Sequence, residues 1–219
     1  MASVIETATG LVLRTRPLTE TSLIVAWLTP TLGRVATVAK GALRHKSPFR
    51  GKLDLFYLGD FSFARSRRSE LHTLREVSLR ETHSSLRQEL GLLQQASYCA
   101  ALVEQATETE TPIPAIFDLV AGLLRYLLGR QPEAQTIFAF EFRLLNELGL
   151  RPNLERTKLN PGTRQLVRML IESDWEMIAR LKLSEGQGRE LNQFLHGFLI
   201  FHLGRIPKGR AAAVGAGAE

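Results

Sequence analysis

The residues best suited to chemistry in this 219-residue sequence lie in one basic segment, residues 39–52. Between residues 34 and 52 the chain has six cationic side chains and no acidic one. Two glycines and a proline disfavour regular secondary structure there, so the cations can be presented together. His45 and Phe49 lie among them, and either ring could stack on an unpaired base. Cations for phosphates together with rings for bases are what binding of single-stranded nucleic acid requires.

The candidate nucleic-acid-binding set joins this segment to the basic end of the first predicted strand. Arg65, Arg67 and Arg68 could extend the patch. The sequence leaves an alternative open, in which the segment is a solvated loop without a partner and Phe49 is tucked into the end of the fold. The candidate set consists of Arg14, Arg16, Arg34, Lys40, Arg44, His45, Lys46, Phe49, Arg50 and Lys52.

The charge of the chain is unevenly distributed. Residues 1–80 contain thirteen basic and six acidic side chains, a net of +7, whereas the whole chain has a net charge of +6. Residues 81–204 contain twelve basic and fifteen acidic side chains, a net of −3. A basic surface attracts polyanions, of which nucleic acid is the commonest and an anionic membrane the second. The division indicates two domains with different partners.

Combinations of residues that would indicate catalysis are missing from the sequence. The five histidines are scattered, and the single cysteine, Cys99, excludes a disulfide framework and a four-cysteine zinc site. Cys99 lies on an apolar helical row and is predicted to be core. We therefore expect no catalytic residue, no metal, no cofactor and no enzymatic activity. The absence of an apolar leader, and of a clean apolar span within residues 112–128, predicts a cytoplasmic protein.

A small barrel is the element that must position the basic segment. Period-two alternation or short apolar runs bounded by glycine and proline predict five strands, which favours an OB-type β-barrel. The predicted strands cover residues 4–13, 23–28, 34–40, 53–63 and 69–79.

Beyond residue 83 the apolar period becomes that of a helix. The last predicted helix is apolar on almost every side, so we expect it to form the centre of a bundle. The predicted fold class is α+β in two domains, with an OB-type domain at residues 1–81, a helical bundle at 82–205 and a disordered Ala/Gly tail at 206–219. The predicted helices lie near residues 86–103, 114–128, 132–148, 163–173 and 189–203.

Residues 10–56 resemble the N-terminal domain of the RecO family of bacterial recombination mediators. Weaker similarity continues into the helical part, at residues 140–145 and 201–205. The motifs that carry the resemblance are Arg14 with Arg16-Pro17, Glu20-Thr21-Ser22, Leu28-Thr29-Pro30, Gly33-Arg34, Ala39-Lys40-Gly41-Ala42, Phe49-Arg50-Gly51 and Glu70-Leu71-His72-Thr73-Leu74.

The resemblance implies a non-catalytic protein of the bacterial cytoplasm, associated with the nucleoid. Members of the family bind single- and double-stranded DNA and anneal complementary strands. With RecR they help to load RecA onto strands coated by single-strand-binding protein. They also bind the acidic, apolar C-terminal tail of that protein through the helical domain.

Two features of the helical part bear on these implications. Many family members have a four-cysteine zinc site where this chain has residues 151–165, which contain no cysteine. We therefore expect no zinc, and the structure of residues 151–163 stays open. Phe140 and Arg143 share a helix face and could hold the tail peptide. The alternative is that Phe140 is core and Arg143 pairs with Glu147.

Two other functions remain compatible with the sequence. A generic OB-fold protein that binds RNA or tRNA would share the basic segment. A non-catalytic adaptor would use the helical bundle as a docking surface and bind no nucleic acid.

Overall fold

Five β-strands form a closed barrel in the first part of the chain. The computed structural model describes residues 4–215. The strand order around the barrel is β1-β2-β3-β5-β4, and every neighbouring pair is antiparallel except β3 with β5. This confirms the predicted OB-type barrel. The strands are β1 (Ile5–Pro17), β2 (Leu23–Thr29), β3 (Gly33–Ala39), β4 (Leu58–Ala64) and β5 (Leu71–Glu81).

Strand β1 is long enough to pair with two neighbours. Its first half pairs with β4 and its second half with β2, and the register shifts between Val12 and Arg14. Near the change of partner, Gly10 lies opposite Gly59 of β4. A Cβ atom on Gly59 would lie 2.6 Å from the carbonyl oxygen of Ser78 on β5. Glycine is therefore required where the three strands approach closely enough to close the barrel.

Aromatic side chains fill the barrel. The rings of Trp27 and Phe61 stack with centroids 4.2 Å apart, and Phe61 contacts Phe63 at 5.7 Å. The indole Nε1 of Trp27 donates to the hydroxyl of Thr37 at 2.9 Å, so the buried ring has a partner for its polar atom. The core comprises Val12, Val25, Trp27, Val35, Ala39, Ala42, Phe49, Phe61, Phe63, Leu74 and Val77.

The fourth strand begins later than the sequence predicts, at Leu58 rather than residue 53. The cause is Phe56, whose φ of 64° is incompatible with a strand. Its backbone N–H donates to the carbonyl of Val12 at 2.8 Å, and its own carbonyl accepts from the His83 ring at 2.7 Å. Tertiary contacts therefore override the alternating pattern of residues 53–57.

The backbone contacts divide the chain into two units. The barrel unit contains the residues up to His83 together with Thr107–Ala121, and the helical unit contains Ser84–Ala106 and the residues from Gly122 onward. We propose a domain boundary near residue 82, as the sequence predicts, with residues 107–121 added to the barrel unit.

All five predicted helices occur, and two shorter ones were not predicted. Short 3₁₀ turns at Ser84–Arg87 and Leu154–Arg156 complete the described elements. No helix within residues 4–215 has both the length and the apolar character needed to cross a bilayer. The helices are α1 (Leu90–Ala106), α2 (Pro114–Leu127), α3 (Ala134–Glu147), α4 (Pro161–Glu172), α5 (Trp175–Arg180), α6 (Glu185–Leu203) and α7 (Arg210–Gly215).

Side-chain caps set the start of the later helices. The Asn160 side chain accepts from the backbone N–H of Thr163 at the start of α4. At the start of α6, Ser184 and Gln187 form a reciprocal capping box. Such caps satisfy backbone N–H groups that have no partner within the helix.

The helix at the centre of the helical unit is α3, not the last long helix as the sequence predicts. Every residue of α3 from Thr136 to Phe142 is buried, and α3 packs against α1, α4, α5, α6 and α7. Helix α6 buries only the row Leu191, Leu195 and Leu199, and Phe201 near its end is 82% exposed. The apolar composition of α6 was therefore misleading.

A buried ion pair holds α7 against the rest of the helical unit. Arg210 at the start of α7 binds Glu141 of α3 through two hydrogen bonds of 2.7 and 2.8 Å. The Tyr98 hydroxyl donates to the same carboxylate at 2.5 Å, and burial beside that charge raises the pKa of Tyr98 far above its ordinary value. Asn192 of α6 accepts from Arg210. The predicted disorder from residue 206 is therefore wrong for residues 210–215, and residues 216–219 lie outside the described part of the chain.

Removing the Arg210 side chain should destabilise the helical unit strongly. In Arg210→Ala, Glu141 loses its buried partner, and we expect the free energy of unfolding to fall by about 3–5 kcal/mol. Urea titration followed by circular dichroism measures the change.

The matched control is Arg189→Ala, because Arg189 is exposed and pairs with Glu185 across one helical turn. An exposed pair of this kind contributes less than about 1 kcal/mol. Similar losses in the two variants would show that the buried pair does not stabilise the unit.

Candidate nucleic-acid interface

The basic segment, residues 39–52, is a chain of tight turns that we call the basic loop. Backbone N–H groups of Ala42, Arg44, Ser47, Arg50 and Lys52 each donate to the carbonyl three residues earlier, at 3.0–3.3 Å. The turns do not continue into a helix or strand. The loop therefore satisfies many of its backbone groups internally while its side chains project in different directions.

Hydrogen bonds and apolar packing both anchor the basic loop to the barrel. The backbone N–H of Leu43 donates to the carbonyl of Thr21 at 3.0 Å, which fixes the loop to the turn between β1 and β2. The N–H of Gly41 is within 3.3 Å of the Ser22 hydroxyl oxygen. Ala42 and Phe49 belong to the barrel core. These contacts hold the loop at its start and in its middle.

Four cations of the basic loop are exposed between and beside these anchors, namely Lys40, Arg44, Lys46 and Arg50, and Lys52 is partly exposed. His45 is also exposed, and its carbonyl accepts from the Arg50 guanidinium at 3.4 Å. The arrangement presents concentrated positive charge with one accessible ring.

Strand register brings the end of β1 to the same end of the barrel. Arg16 pairs with Ile24 of β2, which in turn pairs with Val38 of β3, two residues before Lys40. Arg14 and Arg16 are both exposed and, being two residues apart, lie on one face of β1. The structure thus places Arg14 and Arg16 at the barrel end that carries the basic loop.

Two members of the candidate set have other roles. The Arg34 guanidinium donates to the hydroxyl of Thr107 at 2.9 Å and also to the Thr107 carbonyl. Phe49 is only 6% exposed, so its ring packs in the barrel and is not available to a base. The alternative interpretation of Phe49 is therefore the one observed. The remaining members stay predicted contacts.

The basic loop has a depression of about 430 Å³ on its own surface, which we call the loop depression. Arg44, His45 and Arg50 line it together with Leu23 and Leu53. Cationic and aromatic groups around an apolar floor suit a phosphate with its sugar or base.

The segment Thr107–Thr111, which we call the strap, is a part of the barrel unit that the sequence did not indicate. It runs beside the start of β3, where the Glu110 N–H donates to the Arg34 carbonyl at 2.9 Å. The Glu110 carboxylate binds Arg65 at 2.8 Å and the His72 ring at 2.7 Å. Arg65 also binds Glu6 at 2.5 Å and lowers the pKa of that carboxyl. Arg65 is therefore engaged within the barrel unit.

The predicted partner site at Phe140 and Arg143 is not favoured by the geometry. Phe140 is fully buried. The Arg143 guanidinium donates to the carbonyls of Leu170 and Ser173 and lies 4.4 Å from the centre of the Trp175 ring. Burial lowers the pKa of Arg143. Both residues therefore have packing roles, with Arg143 capping the end of α4.

Residues 151–163 form a 3₁₀ turn and the first turn of α4. The Asn153 side chain accepts from the Glu155 N–H, and Arg164 and Arg168 both bind the Glu155 carboxylate. Between residues 4 and 215 no three His, Cys, Asp or Glu side chains are grouped so that they could hold a metal ion.

Comparison with known proteins gives one family for both units. The family model described as Recombination protein O N terminal matches residues 1–83, and the one described as Recombination protein O C terminal matches residues 87–158. Together the two models extend from the start of the barrel unit to the 3₁₀ turn before α4.

Individual relatives agree with the family models. The chain is 27% identical to DNA repair protein RecO of Alkaliphilus metalliredigens, over 90% of this chain and 93% of that protein. It is 34% identical to DNA repair protein RecO of Rhodopirellula baltica, over 67% of this chain, and 32% identical to that of Listeria monocytogenes, over 69%. The latter two matches span 54% and 58% of the relatives' length. Both family models and these relatives show that the chain belongs to the RecO family of recombination proteins.

Proposed function

We propose that this chain is a DNA-binding recombination mediator that acts by binding and annealing strands, without catalytic turnover. Membership of the RecO family gives it a role in DNA repair and recombination. The observation that supports the finer proposal is the basic loop, whose exposed cations are held on turns anchored in the barrel core. We also propose that it works in the bacterial cytoplasm, at the nucleoid.

The basic loop is suited to phosphates rather than to a particular base sequence. Its exposed groups are mainly Lys and Arg, which bind the phosphate backbone without reading bases. The affinity that the basic loop contributes should therefore be largely independent of sequence, should extend to single and double strands, and should fall as salt rises. Neutralising about four phosphates of a single strand gives a slope of roughly −3 in log K against log salt.

Annealing follows from the same concentration of charge. Two complementary strands repel each other through their phosphates, and a patch of cations lowers that repulsion where the strands meet. Arg14 and Arg16, at the same barrel end, widen the patch beyond the basic loop. The proposed activity needs no reactive side chain, which agrees with the absence of a catalytic combination in the sequence.

The proposed protein partners are RecR and the C-terminal tail of single-strand-binding protein, during loading of RecA. With Phe140 and Arg143 engaged in packing, a better candidate contact for an acidic, apolar tail lies at the end of α6. Phe201 is 82% exposed there, and the cations Arg205 and Lys208 follow. An exposed ring beside cations suits a peptide that combines apolar and acidic groups.

Removing the exposed cations of the basic loop should weaken DNA binding and its salt dependence. In a variant with Lys40, Arg44, Lys46 and Arg50 changed to Ala, we expect the slope for single-stranded DNA to become shallower by about 3. Fluorescence anisotropy over a series of salt concentrations measures it.

The control changes Arg156, Lys158, Arg180 and Lys182 to Ala, because these exposed cations of the helical unit give the same change in net charge. A slope that is equal in both variants would reject the basic loop as the binding site. Stronger competition by single-stranded RNA than by DNA would favour the RNA-binding alternative, and no binding at low salt would favour the adaptor.

Changing Phe201 should separate partner recognition from DNA handling. In Phe201→Ser we expect normal annealing of bare complementary strands and slow annealing of strands coated by single-strand-binding protein. The chain with Leu90→Ser is the control, because Leu90 is another exposed apolar residue of the helical unit, at 67% exposure.

The assay follows a labelled strand as it becomes duplex, with and without the coat protein. Equal rates on coated strands for the two variants would reject the end of α6 as the contact. A failure of the unchanged chain to accelerate annealing of any strand would reject the mediator proposal.

A further inference from the structure

A second depression lies between the basic loop and three strands of the barrel, and we call it the strand depression. Its volume is about 490 Å³, within the range of sites for small organic groups. Pro48 and Lys52 of the basic loop form part of its wall, and Arg75 of β5 contributes a further cation. It is therefore continuous with the proposed DNA-binding surface.

Two rows of polar side chains cross the strands beside this depression. In the first row Thr7, Ser62 and Glu76 are register partners on β1, β4 and β5. In the second row Asp60 lies between Thr9 and Ser78. Hydroxyl groups can both donate and accept, so the rows offer hydrogen-bonding groups for the edge of a planar ring.

The two carboxylates at the strand depression differ in their surroundings. Asp60 accepts from the Thr9 hydroxyl at 2.6 Å and from Arg80 at 2.7 Å, and these contacts hold its pKa below the ordinary value. Glu76 lies on the exposed side of β5, next to Arg75. The Asp60 carboxylate is thus engaged by other side chains of the barrel, whereas the exposed Glu76 carboxylate is positioned to bind a ligand.

The combination of Glu76 with two cations limits the chemical class of ligand that the strand depression can bind. A carboxylate repels a phosphate, so a site for phosphate alone would not need Glu76. A carboxylate accepts from the amino groups of cytosine, adenine and guanine, but thymine has no such group. Lys52 and Arg75 can meanwhile bind the phosphate attached to the same nucleotide.

We propose that the strand depression binds an unpaired nucleobase of single-stranded DNA, with Glu76 accepting from its exocyclic amino group and Lys52 and Arg75 holding its phosphate. This rests on the proposed DNA-binding function and extends the DNA path from the basic loop onto β4 and β5. OB-fold proteins commonly bind nucleic acid on the face of strands 2 and 3. The strand depression instead lies beside β1, β4 and β5. In a duplex the Watson–Crick edge of each base is already occupied by its partner base, so we expect the site to favour single strands.

The test compares binding of oligo-dC and oligo-dT by fluorescence anisotropy. We expect the unchanged chain to prefer oligo-dC by about fivefold, at the lower end of what a direct base contact supplies. Glu76→Gln should remove this preference. Glu70→Gln, a change of an exposed acidic residue outside the depression, should leave it.

A second pair of variants tests the phosphate contact. Arg75→Ala should weaken binding of oligo-dC more than Arg156→Ala does, although each removes one exposed cation and Arg156 lies in the helical unit. The two variants should bind duplex DNA equally. Circular dichroism of each variant verifies that the fold is retained.

The outcomes separate this proposal from the proposed function. An oligo-dC to oligo-dT ratio that Glu76→Gln leaves unchanged, or equal effects of Arg75→Ala and Arg156→Ala on oligo-dC, would overturn the base site while binding through the basic loop stands. Wild-type affinity after removal of the four exposed loop cations would overturn the function proposed for the basic loop. Absence of DNA binding by the unchanged chain would overturn both.

Discussion

The packing of Phe49 and Ala42 into the barrel core is the constraint on which the placement of the basic loop depends. Cations that face one another in water repel by about 1 kcal/mol at close range, and the loop has no acidic side chain to offset this repulsion. Burial of a phenylalanine contributes about 1.5–3 kcal/mol in the opposite direction. The apolar anchors, with the backbone contact to Thr21, can therefore hold the cations in a concentrated patch that a polyanion would stabilise further.

The architecture of the barrel unit could be predicted from the sequence because each strand has a local signal. Alternation, and glycine or proline at the turns, are properties of neighbouring residues, and the charge of the basic loop is visible directly. The roles of Arg34 and Phe49 could not be predicted in the same way. Arg34 binds Thr107, which is 73 positions away along the chain, and Phe49 has the same sequence neighbours whether its ring enters the core or projects into solvent.

In the helical unit, even more features depend on contacts between residues that are distant in the sequence, and these contacts could not be predicted. Helix α3 and helix α6 are both rich in apolar residues, but only tertiary packing determines that α3 is central and that Phe201 is left exposed. The last described residues have the composition of a flexible tail. They nevertheless form α7, because Arg210 forms a buried ion pair with Glu141, which is 69 positions away along the chain. A buried charge is stabilised only when a partner lies next to it in the folded structure. The local sequence does not show which distant residue that partner is.

Lysine footprinting tests the central claim, that the basic loop binds DNA, on the unchanged protein. The chain has six lysines, and three of them, Lys40, Lys46 and Lys52, belong to the basic loop. The other three, Lys158, Lys182 and Lys208, provide an internal control in the helical unit. Acylation read by mass spectrometry, with and without saturating single-stranded DNA at low salt, should show protection of the loop lysines and no change at the other three. Unchanged acylation of the loop lysines, with protection in the helical unit, would contradict the account.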